Sequence, residues 1–289
     1  MKGILVINNF VAGEKTLEIA RFLKNASENL GISLETKRTG ELLHNYDFLR
    51  KLECDFVLFW DKDVILAKML ENCGFPVFNS ADAIYACDNK AETYLLLGKE
   101  GVRVPKTFIA PLTYEGVNYW DIGFAKETAE RIGFPMVIKE LYGSFGQQVY
   151  LAHNMEELEK LIAQLGSKGF LMQEFISGSS GRDVRINVVG DQVVSAMKRF
   201  SVTGDFRSNI SNGGHMEEYS PSEAQTQMAI KACRALKLDF AGVDVLFGED
   251  DEPIICEVNS NPHFKSSIDC TGIDMSRYIM EYIKEKIKA

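Results

Sequence analysis

Two carboxylates and an amide stand in segments whose other residues call for burial. In IICEVNSNP (254–262), Glu257 and Asn259 lie two positions apart, so on a strand they share one face. Upstream, FAGVDVLF (240–247) carries Asp244, and the acidic turn GEDDEP joins the two segments. A hairpin symmetric about Asp250–Asp251 sets Asp244 directly opposite Glu257, with Cβ atoms about 5 Å apart. Their face also takes Gly242 and Asn259, while Val243, Val245, Cys256 and Val258 fall on the other. Paired carboxylates repel unless protonated or bound to a cation. Hard oxygen donors suit Mg²⁺, which takes one or two carboxylates and leaves its other positions to water and phosphate. A surface hairpin with scattered polar residues has the same pattern.

Three further stretches carry chemistry. In VIKELYGSFGQQVYL (137–151), Lys139 sits inside an apolar strand, where a lone ammonium is costly. Gly143, Ser144 and Gly146 follow as a turn whose N–H groups could cover phosphates that the lysine neutralises; glycine-rich hairpins also simply turn. In GRDVRINVV (181–189), Asp183, Arg185 and Asn187 share one face and Val184, Ile186 and Val188 the other, the alternation of a half-buried strand. MKRFSVTGDFRSNISNGG (197–214) places Arg199, Arg207 and Asn209 on or beside a stretch ending in a double glycine. Arginines beside an acidic metal site call for an anion between them, and a solvated loop is the plain alternative. Together the four stretches make a kit for phosphoryl transfer, although the chain has neither a GxxxxGK[ST] sequence nor a kinase catalytic loop.

The elements that hold these residues follow from hydrophobic spacing. GILVINN, CDFVLFW and FPVFN read as buried strands, and SLETKRT alternates as a fourth. Helical spacing over 14–30 stops at Gly31, and AKMLENCG is helical, so residues 1 to about 80 form a small parallel α/β unit. Residues 105–176 read as an α+β module: an extended segment, a helix ended by Gly133, two strands around GSFG, a helix with Leu158, Leu161, Ile162 and Leu165 on one face, and the strand GFLMQEFI. The last third holds a hairpin around Gly190–Asp191, a helix over 223–236, the acidic hairpin, and an amphipathic helix behind Asp274, a candidate N-cap.

Bulk properties bound the function. At 289 residues two or three subdomains are expected. The net charge of −9 argues against a nucleic-acid or anionic-membrane surface. Six cysteines without a CxxC pair read as free thiols in a reducing cytoplasm, not as a disulfide frame or a zinc site. The opening MKGILVINNF is too short for a signal h-region, and no apolar run reaches the length of a membrane span.

The order Lys139, GSFG, QEFI, RDVR, GDFRSN, AGVD and EVNSNP resembles the ATP-grasp superfamily, and within it the RimK branch and the related amino-group-carrier ligases. The likeness runs from about Asp88 through TGID (271–274), and the N-terminal α/β unit fits the family's first domain. The resemblance implies an α/β chain with α+β character in the ATP-binding part: a Rossmann-like domain over 1–86, a central subdomain over 87–176 bearing the glycine-rich loop, and a C-terminal subdomain over 177–289 with the metal site. It implies that Lys90 and Lys139 contact ATP phosphates under Gly143, Ser144 and Gly146. QEFI would hold adenine through the backbone of Glu174 and Phe175, and Asp183 would bind the ribose. Arg207, Ser208 and Asn209 would approach the γ-phosphate and acyl phosphate, and Arg199, Arg207 and Asn209 would serve the chemistry. Asp244, Glu257 and Asn259 would hold two Mg²⁺ ions, with Mn²⁺ as an alternative.

The implied activity is ATP-dependent joining of a carboxylate to an amine through an acyl phosphate. The partners would be an amino acid such as glutamate and a carboxylate-bearing peptide, protein tail or small acid. Family members often form homo-oligomers. An ATP-grasp kinase and a nucleotide-binding module without turnover are the alternatives. The chain departs from the RimK pattern at Ser211–Asn212, where a His-Arg pair is usual, and in SNPHFKSSIDCTG, where His263 and Lys265 appear; the departures fall on the substrate half. Lys265 is either a partner for a substrate carboxylate or a solvated lysine.

Overall fold

A computed structural model describes residues 1–10, 14–143, 146–201, 206 and 214–288. The first sheet forms from β1 (Lys2–Ile7), β2 (Ser33–Arg38), β3 (Phe56–Trp60) and β4 (Val77–Phe78), all parallel in the order β2-β1-β3-β4. Helices α1 (Glu14–Asn29), α2 (Tyr46–Leu49) and α3 (Val64–Asn72) connect them. Every residue of β3 is buried, as a parallel strand covered on both faces requires. Two short helices follow, α4 (Ala81–Asp88) and α5 (Lys90–Lys99).

The second sheet contains β5 (Thr107–Ile109), β6 (Met136–Glu140), β7 (Val149–Ala152) and β8 (Phe170–Glu174), antiparallel in the order β5-β8-β6-β7, with α6 (Gly123–Ile132) and α7 (Met155–Leu165) packed on it. The third contains β9 (Arg182–Val189), β10 (Gln192–Phe200), β11 (His215–Glu218), β12 (Phe240–Phe247) and β13 (Pro253–Asn259), antiparallel in the order β11-β10-β9-β12-β13. Helices α8 (Glu223–Ala235), α9 (Lys265–Thr271) and α10 (Met275–Lys288) complete the chain.

The third sheet carries the alternation that the sequence predicts. Val184, Ile186, Val188, Val243, Val245 and Val258 are buried in one apolar core with α4, α5 and α8. Arg185, Asn187, Asp244, Glu257 and Asn259 share the opposite face. The hairpin turn at Gly190–Asp191 and the Asp274 cap also stand, the latter with Ser276 N–H donating to the Asp274 carboxylate at 2.9 Å. Helices α4, α5 and α9 and strand β11 are elements that the hydrophobic spacing did not reveal.

Asn79 ties the first sheet to the third. It is fully buried; its amide donates to the carbonyls of Phe240 at 3.0 Å and Ser260 at 2.9 Å, and its oxygen accepts from Asp239 N–H at 2.7 Å. Replacing it with alanine leaves those buried backbone groups without partners, at roughly 1–3 kcal/mol for each one stranded. Asn79→Ala is therefore expected to lose about 2–4 kcal/mol in urea unfolding, and an unchanged midpoint would remove this clamp.

Candidate active site

Asp244 faces Glu257 across the hairpin, and Gly242 faces Asn259, as the sequence predicts. The route to that register differs. Nearer the turn, Val245 pairs with Ile255, Leu246 with Ile254 and Phe247 with Pro253, a register centred on Asp250 alone. Cys256 is the extra residue of a β-bulge that shifts the ladder by one before Glu257. The bulge also overturns one expectation: Cys256 lines the cleft with Glu257 instead of facing the opposite side.

Asp244 is the centre of a buried charge network. Arg185 lies opposite it on β9 and grips it with two donors, Nε to Oδ1 and Nη2 to Oδ2, the latter at 2.9 Å. Arg199 Nη2 reaches Asp244 Oδ1 at 2.9 Å while its Nε and Nη2 hold Asp183 at 2.7 and 2.5 Å. Burial pushes the Asp244 carboxyl up, but Arg185 and Arg199 outweigh it and hold the group below the usual carboxylate range. Gly242 makes room for this arrangement, since a Cβ there would lie 2.9 Å from Arg185 Nη1 and 2.8 Å from Pro262.

A cleft lies between the second and third sheets. Its lining includes the apolar Val137, Val149, Ile176 and Leu246 and the charged Lys90, Lys139, Asp244 and Glu257. Lys90 Nζ donates to the Gly143 carbonyl at 3.3 Å, and Lys139 Nζ donates to Tyr94 Oη at 3.2 Å and approaches Cys256 Sγ at 3.7 Å. Both lysines are more than 90% buried, and among the described residues neither forms an ion pair. Burial pulls the Lys90 ammonium below its usual range, repulsion from Lys139 and Lys62 adds to that, and Glu257 opposes it. Glu257 supplies a counter-charge to both buried ammonium groups, and the positive charge left over calls for an anionic ligand. Among the described residues no three acidic, histidine or cysteine side chains gather as a metal cage; an ion that relies on phosphate oxygens needs only the two carboxylates.

A RimK-like ATP-grasp domain model matches residues 87–283. This chain belongs to the RimK-like ATP-grasp family. It is 32% identical over 252 residues to a probable alpha-L-glutamate ligase of Shewanella loihica, covering 86% of this chain and 80% of that one. It is 36% identical over 227 residues to human beta-citrylglutamate synthase B, covering 77% of this chain and 56% of the relative. Its fold matches that of a RimK-domain ATP-grasp protein from Sphaerobacter thermophilus with a TM-score of 0.76 at 20% identity, over 98% and 99% of the two chains.

Most ATP-grasp positions singled out in the sequence line the cleft: Lys90, Lys139, Gly146, Glu174, Phe175, Asp183, Asp244 and Glu257. Gly143 meets Lys90 through its carbonyl, and Asn259 is at the open end of β13 with a buried Nδ2 that lacks a partner among the described residues. Ser144, Arg207, Ser208 and Asn209 lie outside the described residues. Arg199 is placed behind Asp183 and Asp244 and does not line the cleft, a position suited to holding those carboxylates. Lys265 points along α9 to Asp269, with Nζ 2.5 Å from both carboxylate oxygens. The spacing placed Arg185 on the face of Asp183 without giving it a partner, put Cys256 on the wrong face, and did not single out Phe206, which packs edge-on to Phe175 at 6.3 Å. For Arg185 the missing signal was the strand partner that puts it opposite Asp244.

No helix among the described residues is long and apolar enough to cross a membrane.

Proposed function

We propose that this chain is an ATP-dependent carboxylate–amine ligase that adds an amino acid such as glutamate to a carboxylate-bearing peptide, protein tail or small acid. The carboxylate attacks the γ-phosphorus of ATP, the bond to ADP breaks, and an acyl phosphate forms. The amine then attacks the acyl carbon, phosphate leaves, and the amine proton passes to solvent. The observation that carries this reading is the pair of buried, ion-pair-free lysines facing Asp244 and Glu257 in one cleft.

In this assignment Lys90 and Lys139 neutralise the phosphate chain. Gly143, Ser144 and Gly146 cover it, and Glu174 and Phe175 hold the adenine through their backbone. Asp183 receives the ribose. Arg207, Ser208 and Asn209 approach the transferring group, and Arg199 fixes Asp183 and Asp244. Asp244, Glu257 and Asn259 would hold two Mg²⁺ ions, or Mn²⁺; Asp244 has three of its acceptor directions taken by arginines, which leaves one on Oδ2. Such an ion would neutralise phosphate oxygens and favour attack at phosphorus. The division into units 1–86, 87–176 and 177–289, cytoplasmic residence and homo-oligomeric assembly belong to the same reading.

The test is ADP release with Mg-ATP and each amino acid in turn, alone and paired with candidate acids, with hydroxylamine as a trap. ADP together with a hydroxamate of the activated acid is the expected result. ADP release that depends on an acid, with a stable phosphorylated product and no hydroxamate, would replace the ligase with a kinase.

A further inference from the structure

The first sheet ends beside buried polar side chains that do not line the nucleotide cleft. Its strand order, β2-β1-β3-β4, makes the chain turn one way after β1 and the other way after β3. Ligands of open parallel sheets bind outside the carboxyl ends of the strands at such a switch point. The residues that follow those two ends are Asn8 and Asp61.

Asp61 is buried, with 8% of its surface exposed. Its Oδ1 accepts from Asn8 Nδ2 at 3.2 Å and from Lys62 N–H at 2.5 Å. Its Oδ2 is buried and has no partner among the described residues. Asn261 reaches the same place from the third sheet, its Nδ2 donating to the Asp61 carbonyl at 2.9 Å, and its Oδ1 is likewise buried without a described partner. Two acceptors, one of them anionic, thus lack donors where two elements meet. Burial pushes the Asp61 carboxyl up, the cost of that lack.

The position is rigid and close to the chemistry. Trp60, next to Asp61, stacks on Phe240 of β12 at 5.4 Å and meets Phe264 edge-on at 5.8 Å. Asn261 follows the metal-site candidate Asn259 by two residues. Lys62 pairs with Asp88, two residues before Lys90.

We propose that Asp61 Oδ2 and Asn261 Oδ1 dock the α-ammonium group of the amino-acid substrate. This inference rests on the ligase reading and names the chemistry of one of its substrates. An ammonium supplies several N–H donors and a positive charge, matching one carboxylate and one amide oxygen.

The full chain with a non-hydrolysable ATP analogue and Mg²⁺ is titrated with the amino acid that supports ADP release, L-glutamate being the first probe, and with the matching acid that lacks the amino group, glutarate for glutamate. Binding of the amino acid at least tenfold tighter than its deaminated counterpart is expected. Asp61→Asn should weaken amino-acid binding about 10- to 100-fold, the range for one hydrogen bond to a charged group, and leave nucleotide binding unchanged. The same variant without ligands should melt at or above the wild-type temperature, because it replaces a buried, half-satisfied carboxylate with a neutral amide. Equal binding of the two probes, unaltered affinity in Asp61→Asn, or a lowered melting temperature would each overturn the proposal, the last by making Asp61 a structural residue. Wild-type protein that releases ADP with neither an acid nor an amino acid present would instead strike at the ligase reading itself.

Discussion

Asp244→Ala is expected to abolish ADP release and to lower stability by about 3–5 kcal/mol, the cost of stranding one side of a buried ion pair. Two guanidinium groups converge on this carboxylate, and Arg199 has only Asp183 left once it is gone. Glu257→Gln separates the two effects. Glu257 lines the cleft without belonging to that arginine network, so its amide variant should lose turnover by about 10³-fold while unfolding near the wild-type midpoint. Urea unfolding of both variants beside an ADP assay makes the comparison, and equal stability losses would contradict the distinction drawn between the two carboxylates. The network also fixes a pH dependence. Since folding lowers the Asp244 pKa, its contribution is fully present above the ordinary carboxylate range near pH 4 and is lost as the pH falls through the lower folded value.

Lys139→Met should cost far more activity than stability. The ammonium is buried beside Tyr94 and Cys256 without an ion pair among the described residues. Burial works against its charged form, and Cys256, Tyr94 and Glu257 outweigh that cost. Methionine nearly matches its length and removes the charge. Losing a preorganised cation aimed at a phosphate chain should lower kcat/KM by about 10²–10³-fold, while apo stability falls by about 1 kcal/mol, the loss of one hydrogen bond to Tyr94. Calorimetric melting of the apo protein and steady-state ADP release are the measurements. A large stability loss with little change in kcat/KM would mean that the lysine is a structural donor to Tyr94, not a binding group held in readiness.

The parts of the site legible in the sequence are those with period two. Asp183, Arg185 and Asn187 on β9 and Asp244 on β12 show on paper which face they take, because alternation against buried valines leaves no other choice. The acidic hairpin was legible for a less secure reason. A centre at Asp250–Asp251 predicts the correct partner for Asp244, yet the turn is centred one residue away and the bulge at Cys256 restores the count. Bulges arise where twist and packing demand an extra residue, which no alternation encodes. Helices α4 and α5 escaped because each is short and shows a weak apolar stripe; their caps at Ser80 and Asn89, which accept N–H donors from Ala83 and from Ala91 and Glu92, were the available signal. Asp61 escaped because a carboxylate just past an apolar strand resembles any strand end until the opposing sheet is placed over it.

Helix α10 covers the first sheet together with α1: Met275, Ile279, Met280 and Ile283 are buried in one core with Leu5, Leu23 and Leu58. The strands of that sheet are made well before α10 and therefore keep an apolar face bare until residues 275–288 have been made. At cellular rates of elongation that interval is roughly 10 to 50 seconds, long beside the microseconds in which a collapsed chain samples its contacts. The nascent chain thus carries an uncovered apolar surface throughout that interval.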